Sequence, residues 1–261
     1  MRNWRFILYV WERMGEMGEK EKEYLNSLLN AVNDYEKYTE NFYVYGNIDK
    51  NDSMKEIAFY GDLDSWLNNI NYLNQQIKYT AEVVLGILED KKDVEFDIYG
   101  TSHRDTYYYT ENMMFRISIL WDLLAQMFNS AFDLNAKIDE IHHYTFFQKY
   151  QAKSRRSYPY RELAKKVYDY FEEKDSIQEG LWKGNFKYCK QLRNDFTHSL
   201  NPHIMNVNNG NFNNKNKRGM NMAEHPLFEL KRLLEDFTKV NYFISVLLSE
   251  HIPNKKFSFS R

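Results

Sequence analysis

The stretch "LDSWLNNINYLNQQIKYTAEVVLGIL", residues 63–88, places apolar side chains every three or four positions. The apolar positions are Leu63, Trp66, Leu67, Ile70, Leu73, Ile77, Ala81, Val84, Leu85 and Leu88. Such spacing puts them on one face of an amphipathic helix, which must be buried against other elements. Either Asp62 or Asp64 is well placed to cap the start of this helix.

The same periodicity recurs in four other segments, residues 19–40, 111–132, 176–200 and 226–248. Glycine (10) and proline (4) are both scarce in the 261 residues, which favours long helices over many strands joined by turns. Pro202 prevents the fourth helix from continuing, whereas Pro226 lies where the first turn of a helix accepts proline. The sequence therefore predicts an all-α fold, a bundle of four or more long helices.

Two segments of the N-terminal half do not follow the helical period. Residues 3–13 are rich in aromatic and β-branched side chains and suit either a strand or the start of a helix. Residues 94–98 alternate as a short strand or an extended loop does. We expect one domain over residues 1–261, in which residues 1–109 form an extension that packs on a core of residues 110–250.

Charge and composition exclude several classes of protein. The formal charge of −2 and pI near 6.4 give no global positive field, so contact with nucleic acid requires a local basic patch. The single cysteine, Cys189, excludes an internal disulfide, and we expect a buried thiol rather than a nucleophile. The chain has no signal-peptide pattern, no apolar run of membrane-spanning length and no glycine-rich phosphate loop. These features predict a cytoplasmic protein that requires no cofactor.

A basic and aromatic tract, "HHYTFFQKYQAKSRRSYPYRELAKKVYDYF", covers residues 142–171. Its lysine and arginine side chains suit phosphates, and its tyrosines suit stacking on unpaired bases. The candidate RNA-binding residues are Lys153, Arg155, Arg156 and Tyr158. The alternative is a solvated helix face. His142 and His143 are adjacent and point to different faces of a helix, which is poor geometry for a metal site.

The segment "CKQLRNDFTHSLNPHI", residues 189–204, interrupts an apolar helical pattern with polar side chains. Arg193 and His198 are five residues apart, which is a rotation of about 140° on a helix, so the two do not share a face. Both reach one site if the helix loosens near Asn201 and Pro202, or if two copies of the chain bring these helices together across a two-fold axis.

The hexapeptide "RNDFTH", Arg193 to His198, resembles the R-x4-6-H signature of the HEPN superfamily (higher eukaryotes and prokaryotes nucleotide-binding), including the Asn that often follows the Arg. The segment "FRISILWDLLAQMFN", residues 115–129, is similar to the early bundle helix of a bacterial HEPN group. The resemblance covers roughly residues 110–250. After the motif comes an Asn-rich stretch without periodicity, which we expect to be a mobile surface loop over residues 203–223.

The resemblance implies a helical bundle that forms a homodimer and, in catalytic members, cleaves RNA without a metal. Such members act in toxin–antitoxin systems or antiviral defence, and some are held inactive by an antitoxin or a nucleotidyltransferase-like partner. Other members are non-catalytic modules that bind a partner protein, RNA or nucleotide. By this resemblance Arg193 and His198 match the two fixed positions of the motif and Asn194 its usual polar follower, so these three are the expected catalytic residues. Asp195 and Thr197 are candidates for supporting roles, because their side chains suit polarising or positioning His198.

The chemistry supports these roles independently. An arginine side chain grips two phosphate oxygens and remains charged at any relevant pH, so Arg193 suits the charge that builds on a phosphate. Histidine ionises near neutral pH, so His198 suits general acid or base catalysis. The carbonyl dipoles at the end of a helix favour a positively charged side chain at its position, which suits an acid.

A purely structural interpretation stays open at this stage. In it, Arg193 forms a salt bridge to a neighbouring helix and His198 caps the last carbonyls of its own. Glu111, Arg116 and Asp122 offer partners on the helix that precedes the motif, either orienting it or forming ordinary inter-helix salt bridges.

Overall fold

The computed structural model describes residues 19–32, 54–91, 103–152, 158–178, 181–198, 203 and 224–252. In chain order the elements are α1 (Glu19–Ala31), α2 (Met54–Asp90), α3 (Arg104–Ala131), a 3₁₀ turn (Ile138–Glu140), α4 (His143–Tyr150), α5 (Arg161–Phe171), β1 (Ser176–Gln178), β2 (Leu181–Lys183), α6 (Asn185–His198), α7 (Pro226–Val246) and a final π-helical turn (Leu247–His251). The predicted all-α helical bundle is confirmed.

Helix α2 contains the whole of residues 63–88 and buries the face that the periodicity predicts. Leu63, Leu67, Ile70 and Ile77 have no exposed surface. The predicted cap is wrong, because α2 begins at Met54 and both aspartates lie within it. Asp64 instead accepts a hydrogen bond from Asn68 one turn later (3.1 Å).

Helices α3 and α7 form the centre of the bundle. They pack on each other, α2 lies against α3, α1 lies against α7, and α6 contacts both central helices. Trp121 of α3 is 1% exposed and packs edge-on against Phe171 and Phe186. The burial of such large aromatic side chains, each worth roughly 1.5–3 kcal/mol, stabilises the contact between α3, α5 and α6.

Polar pairs inside the bundle fix how the long helices align. Asn74 of α2 and Asn241 of α7 exchange amide hydrogen bonds of 2.8 and 3.3 Å and are both buried. Arg116 of α3 donates to Gln76 of α2 (2.8 Å). Because a buried polar group without a partner is costly, these bonds favour one register of the helices over others.

The fourth predicted helix begins nine residues later than expected. Strands β1 and β2 pair antiparallel, with Ile177 opposite Trp182, and α6 starts only at Asn185. Gly184 explains the break, since its φ of +74° lies in the left-handed region. A Cβ there would lie 2.7 Å from the backbone nitrogen of Asp175, so only glycine fits between hairpin and helix.

The start of α7 follows the prediction closely. Pro226 occupies the first turn, and the Nδ1 atom of His225 accepts a hydrogen bond from the backbone N–H of Leu227 (3.2 Å). The two strand-like segments at 3–13 and 94–98, and residues 204–223 of the Asn-rich stretch, lie outside the described residues.

Candidate functional site

Arg193 lies on α6 where this helix faces α3. Its guanidinium Nη1 donates a hydrogen bond of 2.5 Å to the hydroxyl of Ser118 on α3, and the residue is partly buried. This contact connects the motif arginine to α3, the helix that contains residues 115–129, the other segment that resembles HEPN proteins.

Asp122 lies one turn after Ser118 on α3 and contacts His143, the first residue of α4. The Nδ1 atom of His143 is 2.6 Å from Oδ1 of Asp122, and the backbone N–H of His143 points to the same oxygen (3.4 Å). Burial alone would raise the pKa of Asp122, but the side-chain and backbone hydrogen bonds from His143 and the charge of Arg193 hold that pKa below its ordinary value. The aspartate is therefore ionised beside the motif arginine.

A pocket joins these side chains. Its empty space is about 290 Å³, including the open mouth. The lining residues are Met114, Ile117, Ser118, Trp121, His143, Phe186, Cys189, Lys190, Arg193 and Asp236. Its floor is apolar and aromatic, while two cations, a histidine and a carboxyl group face the same space. Such a mixture of apolar walls and a few convergent polar groups is typical of a binding site.

Lys190 lies one turn before Arg193 on the same helix. Its Nζ atom is 3.6 Å from the centre of the Tyr144 ring, a cation–π contact. Burial and the nearby positive charge of Arg193 lower the pKa of Lys190. The two cations are thus close enough to repel each other, and an anion between them would relieve that repulsion.

Asp236 of α7 is the carboxyl group that lines the pocket. It accepts hydrogen bonds from the Trp121 indole (3.2 Å) and the Tyr170 hydroxyl (2.8 Å). Complete burial raises its pKa to about 7, although both hydrogen bonds and the charge of Arg232 favour the ionised form. A buried carboxyl group that ionises near neutral pH lies within the site.

Cys189 also borders the pocket and is 7% exposed. Burial raises the pKa of its thiol well above the ordinary value, which disfavours the reactive thiolate. The predicted burial of this thiol is confirmed.

The other predicted catalytic residue, His198, is the last residue of α6 and is exposed. Among the described residues no hydrogen bond or ion pair joins His198 to Arg193. The structure therefore does not bring the two motif residues together within one chain, in agreement with their angular separation on the helix.

The remaining predicted residues of the motif lie near the C-terminal end of α6. Thr197 donates to the carbonyls of Arg193 (3.1 Å) and Asn194 (3.3 Å), and Asp195 accepts a hydrogen bond from Gln191 (2.8 Å). Asn194 is partly buried. These hydrogen bonds of Thr197 and Asp195 lie within the helix itself, and the supporting roles stay predictions.

Beyond the motif, His203 forms a buried polar cluster that the sequence did not reveal. It is 6% exposed, stacks on Tyr107 at 4.0 Å between ring centres, and lies between Glu229 (Nε2 to Oε1, 2.7 Å) and Glu111 (Nδ1 to Oε1, 3.2 Å). Phe196 of α6 meets the same imidazole edge-on at 4.9 Å. This cluster, called the His203 clamp below, fixes the chain five residues after the motif histidine. The signal was weak, since no partner is near His203 in sequence.

The predicted RNA-binding residues are only partly described. Tyr158 is 50% exposed and stacks on Tyr160 at 5.2 Å, whereas Lys153, Arg155 and Arg156 lie outside the described residues. Among the described residues of the tract, His143–Tyr150 form α4 and Arg161–Phe171 form α5.

The described residues contain neither a metal-binding cluster nor a membrane-spanning helix. Within these ranges no group of three or more histidine, cysteine or acidic side chains is arranged to hold a metal ion. The helices of the same ranges include none with the length and hydropathy needed to cross a membrane.

Comparison with known proteins places this geometry in a family. Residues 60–252 match the HEPN_Cthe2314-like HEPN family, a match that runs from within α2 to the final helical turn and covers most of the chain. No curated protein and no solved structure matches the chain. Since the match includes helices α3 to α7, the pocket and the Arg193–His198 motif, the chain belongs to the HEPN_Cthe2314-like HEPN family.

Proposed function

We propose that the protein is a metal-independent endoribonuclease that cleaves RNA at a composite site in a homodimer. The observation that carries the proposal is the position of Arg193. In a HEPN-family chain, its guanidinium is anchored by Ser118 at a pocket that also holds a second cation and a histidine.

The chemistry of metal-free RNA cleavage suits these groups. The 2′-hydroxyl oxygen attacks the adjacent phosphorus, negative charge builds on the phosphate oxygens, and the bond to the 5′ oxygen breaks. Arg193 would stabilise the phosphate charge, an electrostatic contribution that is typically large in a partly buried site. His198 would transfer a proton, an effect of about 10² to 10⁴ in rate.

Dimerisation is supported by the surface next to Arg193. Tyr108 (63% exposed), Phe115 (41%) and Ile119 (44%) are separated by seven and four positions on α3, about two turns and one turn, and so form one apolar stripe. Ser118, which holds Arg193, borders this stripe. A second copy on the stripe would cover apolar surface and bring the exposed His198 of one protomer towards the pocket of the other.

The biological setting follows from the family alone. A nuclease of this type fits a toxin–antitoxin or antiviral defence role in the cytoplasm, with an antitoxin or nucleotidyltransferase partner as its inhibitor. RNA contacts along the tract with Tyr158, and supporting roles for Asn194, Asp195 and Thr197, belong to the same proposal.

The test is cleavage of a mixed single-stranded RNA in EDTA by the wild-type protein and by the Arg193→Ala/His198→Ala double variant. A matched control is Arg104→Ala/His142→Ala, which removes the same two side-chain types from exposed positions. We expect products with 2′,3′-cyclic phosphate ends from the wild type and the control, and none from the motif variant. Equal cleavage by all three proteins would contradict the proposal.

A second candidate, a non-catalytic HEPN module that binds a protein or RNA, is favoured by one contact. Arg193 donates a hydrogen bond to Ser118 of its own chain, as an arginine with a structural role does. Absence of cleavage by wild-type protein that is dimeric and free of a copurifying inhibitor would favour this candidate.

A further inference from the structure

The pocket contains a histidine that lies outside the motif, and this histidine has the arrangement of a general base. Oδ1 of Asp122 accepts a hydrogen bond from Nδ1 of His143 at 2.6 Å and lies 3.4 Å from the backbone nitrogen of His143. The carboxylate therefore holds the ring hydrogen on Nδ1. The lone pair of the neutral imidazole is then on Nε2, where it can accept a proton.

Aromatic side chains hold the imidazole ring of His143 in place, and its Nε2 atom faces no hydrogen-bond partner among the described residues. Phe186 meets it edge-on at 5.6 Å and Phe171 at 5.9 Å, so its orientation is fixed by packing. Within the described part of the chain, Nε2 of His143 has no hydrogen-bond partner. The residue is 8% exposed, and it lines the same pocket as Arg193.

The charged groups around His143 come from three helices. Asp122 of α3 carries the negative charge that stabilises an imidazolium, whereas Lys190 and Arg193 of α6 supply the positive charge that attracts a phosphate. Asp236 of α7 faces the pocket with both oxygens hydrogen-bonded, Cys189 adds a buried thiol, and α5 contributes the ring of Phe171. Oriented carboxylate, imidazole and phosphate-binding cations thus lie together in one protomer.

We propose that His143 is the general base of the ribonuclease site and that Asp122 is its positioning residue. The proposal rests on the ribonuclease function proposed above and adds a second histidine to it. Neither residue belongs to the Arg-x4-His motif. Asp122 lies on α3 and His143 on α4, whereas the motif lies on α6.

The proton balance follows from this assignment. Nε2 of His143 takes the proton of the 2′-hydroxyl while that oxygen forms its bond to phosphorus. Asp122 stabilises the resulting imidazolium, and Arg193 and Lys190 hold the phosphate oxygens. The bond from phosphorus to the 5′ oxygen breaks, and His198 gives its proton to that oxygen. Exchange of one proton with water at each histidine restores the enzyme.

The decisive variant is His143→Asn. The asparagine amide takes the place of Nδ1 and keeps the hydrogen bond to Asp122, but it has no atom at the position of Nε2. The matched control is His142→Asn, since His142 is the exposed neighbour in the chain. Asp122→Asn tests the positioning role, because an asparagine amide can donate to Nδ1 and so favours the wrong tautomer.

Cleavage rates are measured from pH 5 to 9 as kcat and KM, with thermal unfolding as the check on folding. We expect His143→Asn to lower kcat by about 10²- to 10⁴-fold, with KM changed less than about threefold, and to flatten the low-pH limb of the rate profile. Asp122→Asn shifts that limb and lowers kcat, and His142→Asn leaves both unchanged. In parallel, an all-2′-deoxy oligonucleotide, which cannot be cleaved, shifts the Nε2 nitrogen resonance of His143 but not that of His142.

The outcomes separate the two proposals. If cleavage requires Arg193 and His198 but His143→Asn keeps the wild-type kcat and pH profile, the base assignment is wrong and the ribonuclease function stands. If the wild type cleaves no RNA, the function is wrong, and the base role is overturned with it. An oligonucleotide that binds without moving the His143 resonance would also overturn the base role.

Discussion

Raising the pH should loosen the His203 clamp, and the structure gives the size of the effect. Burial by itself would lower the pKa of His203, but the charge of Glu229 and the hydrogen bonds to Glu111 and Glu229 raise it to about 9 from an ordinary value of 6.5. The imidazolium is therefore the stable form in the folded protein at neutral pH. Deprotonation would leave two carboxylates facing a neutral ring in a buried site.

The sign of the pH effect follows from linkage. Because the folded protein binds this proton more tightly than the unfolded chain, the stabilisation is fully present below pH 6.5 and is lost as the pH rises through about 9. At about 1.36 kcal/mol per pH unit, the difference between the two pKa values corresponds to roughly 3 kcal/mol. That is a large part of the net stability of an average domain, about 5–15 kcal/mol.

The assay is urea unfolding followed by far-UV circular dichroism at pH 6 and pH 10, for the wild type and for His203→Gln. Glutamine keeps hydrogen-bond donors between the two carboxylates but does not ionise, so other groups that titrate over this interval contribute equally to both proteins. We expect the free energy of unfolding of the wild type to fall by roughly 3 kcal/mol more than that of the variant. Parallel losses in the two proteins would refute the clamp as a source of pH-dependent stability.

Three further predictions concern the packing around the site. Gly184→Ala forces a Cβ to within 2.7 Å of the Asp175 nitrogen at a φ of +74° and should cost about 1–3 kcal/mol of unfolding free energy. Gly86→Ala, with open space around it, should be neutral or slightly stabilising. Equal effects of the two substitutions would contradict the steric argument. Burial raises the pKa of Asp236 from 3.8 to about 7, so the folded state loses stability as the pH rises over that range. In urea unfolding, Asp236→Asn should therefore gain stability relative to the wild type between pH 4 and pH 8. A difference in unfolding free energy that does not change with pH would argue against this. Arg232 is fully buried between aromatic rings, so Arg232→Met should lower the free energy of unfolding by about 2–4 kcal/mol. Asp175→Asn, which changes the 62% exposed partner of Arg232, should lower it by about 1 kcal/mol or less. Comparable losses would mean that the ion pair, not the buried guanidinium, stabilises the fold.

Local sequence carried most of the secondary structure. The helix over residues 63–88 was predictable because its apolar period extends over many turns and only one face can be buried. Pro226 marked the start of α7 because its ring fits the first turn of a helix. The start of α6 was missed because the chain reversal depends on how closely the backbone at Gly184 approaches Asp175, a contact between segments that periodicity does not report.

The same division holds for the candidate site. The spacing of Arg193 and His198 indicated the HEPN motif, and the helical angle predicted that the two residues do not share a face. It left open whether a loosened helix or a second copy of the chain joins them. The sequence also offered Asp122 as either an orienting residue or a salt-bridge partner. It considered His143 only as part of a metal site, for which an adjacent histidine pair has poor geometry. Only the packing of α3 against α4 shows that Asp122 orients His143 beside Arg193.

By itself, then, the sequence determined the all-α class, the long helices, the buried thiol and the family motif, because each depends on residues that are neighbours along the chain or repeat with the helical period. The tertiary structure alone decided the pocket, the Asp122–His143 pair and the His203 clamp. In the clamp, Glu111 and Glu229 reach His203 from 92 and 26 residues away in the chain. Burial and charge at such sites depend on which helices pack together, and a pattern along a single helix does not contain that information.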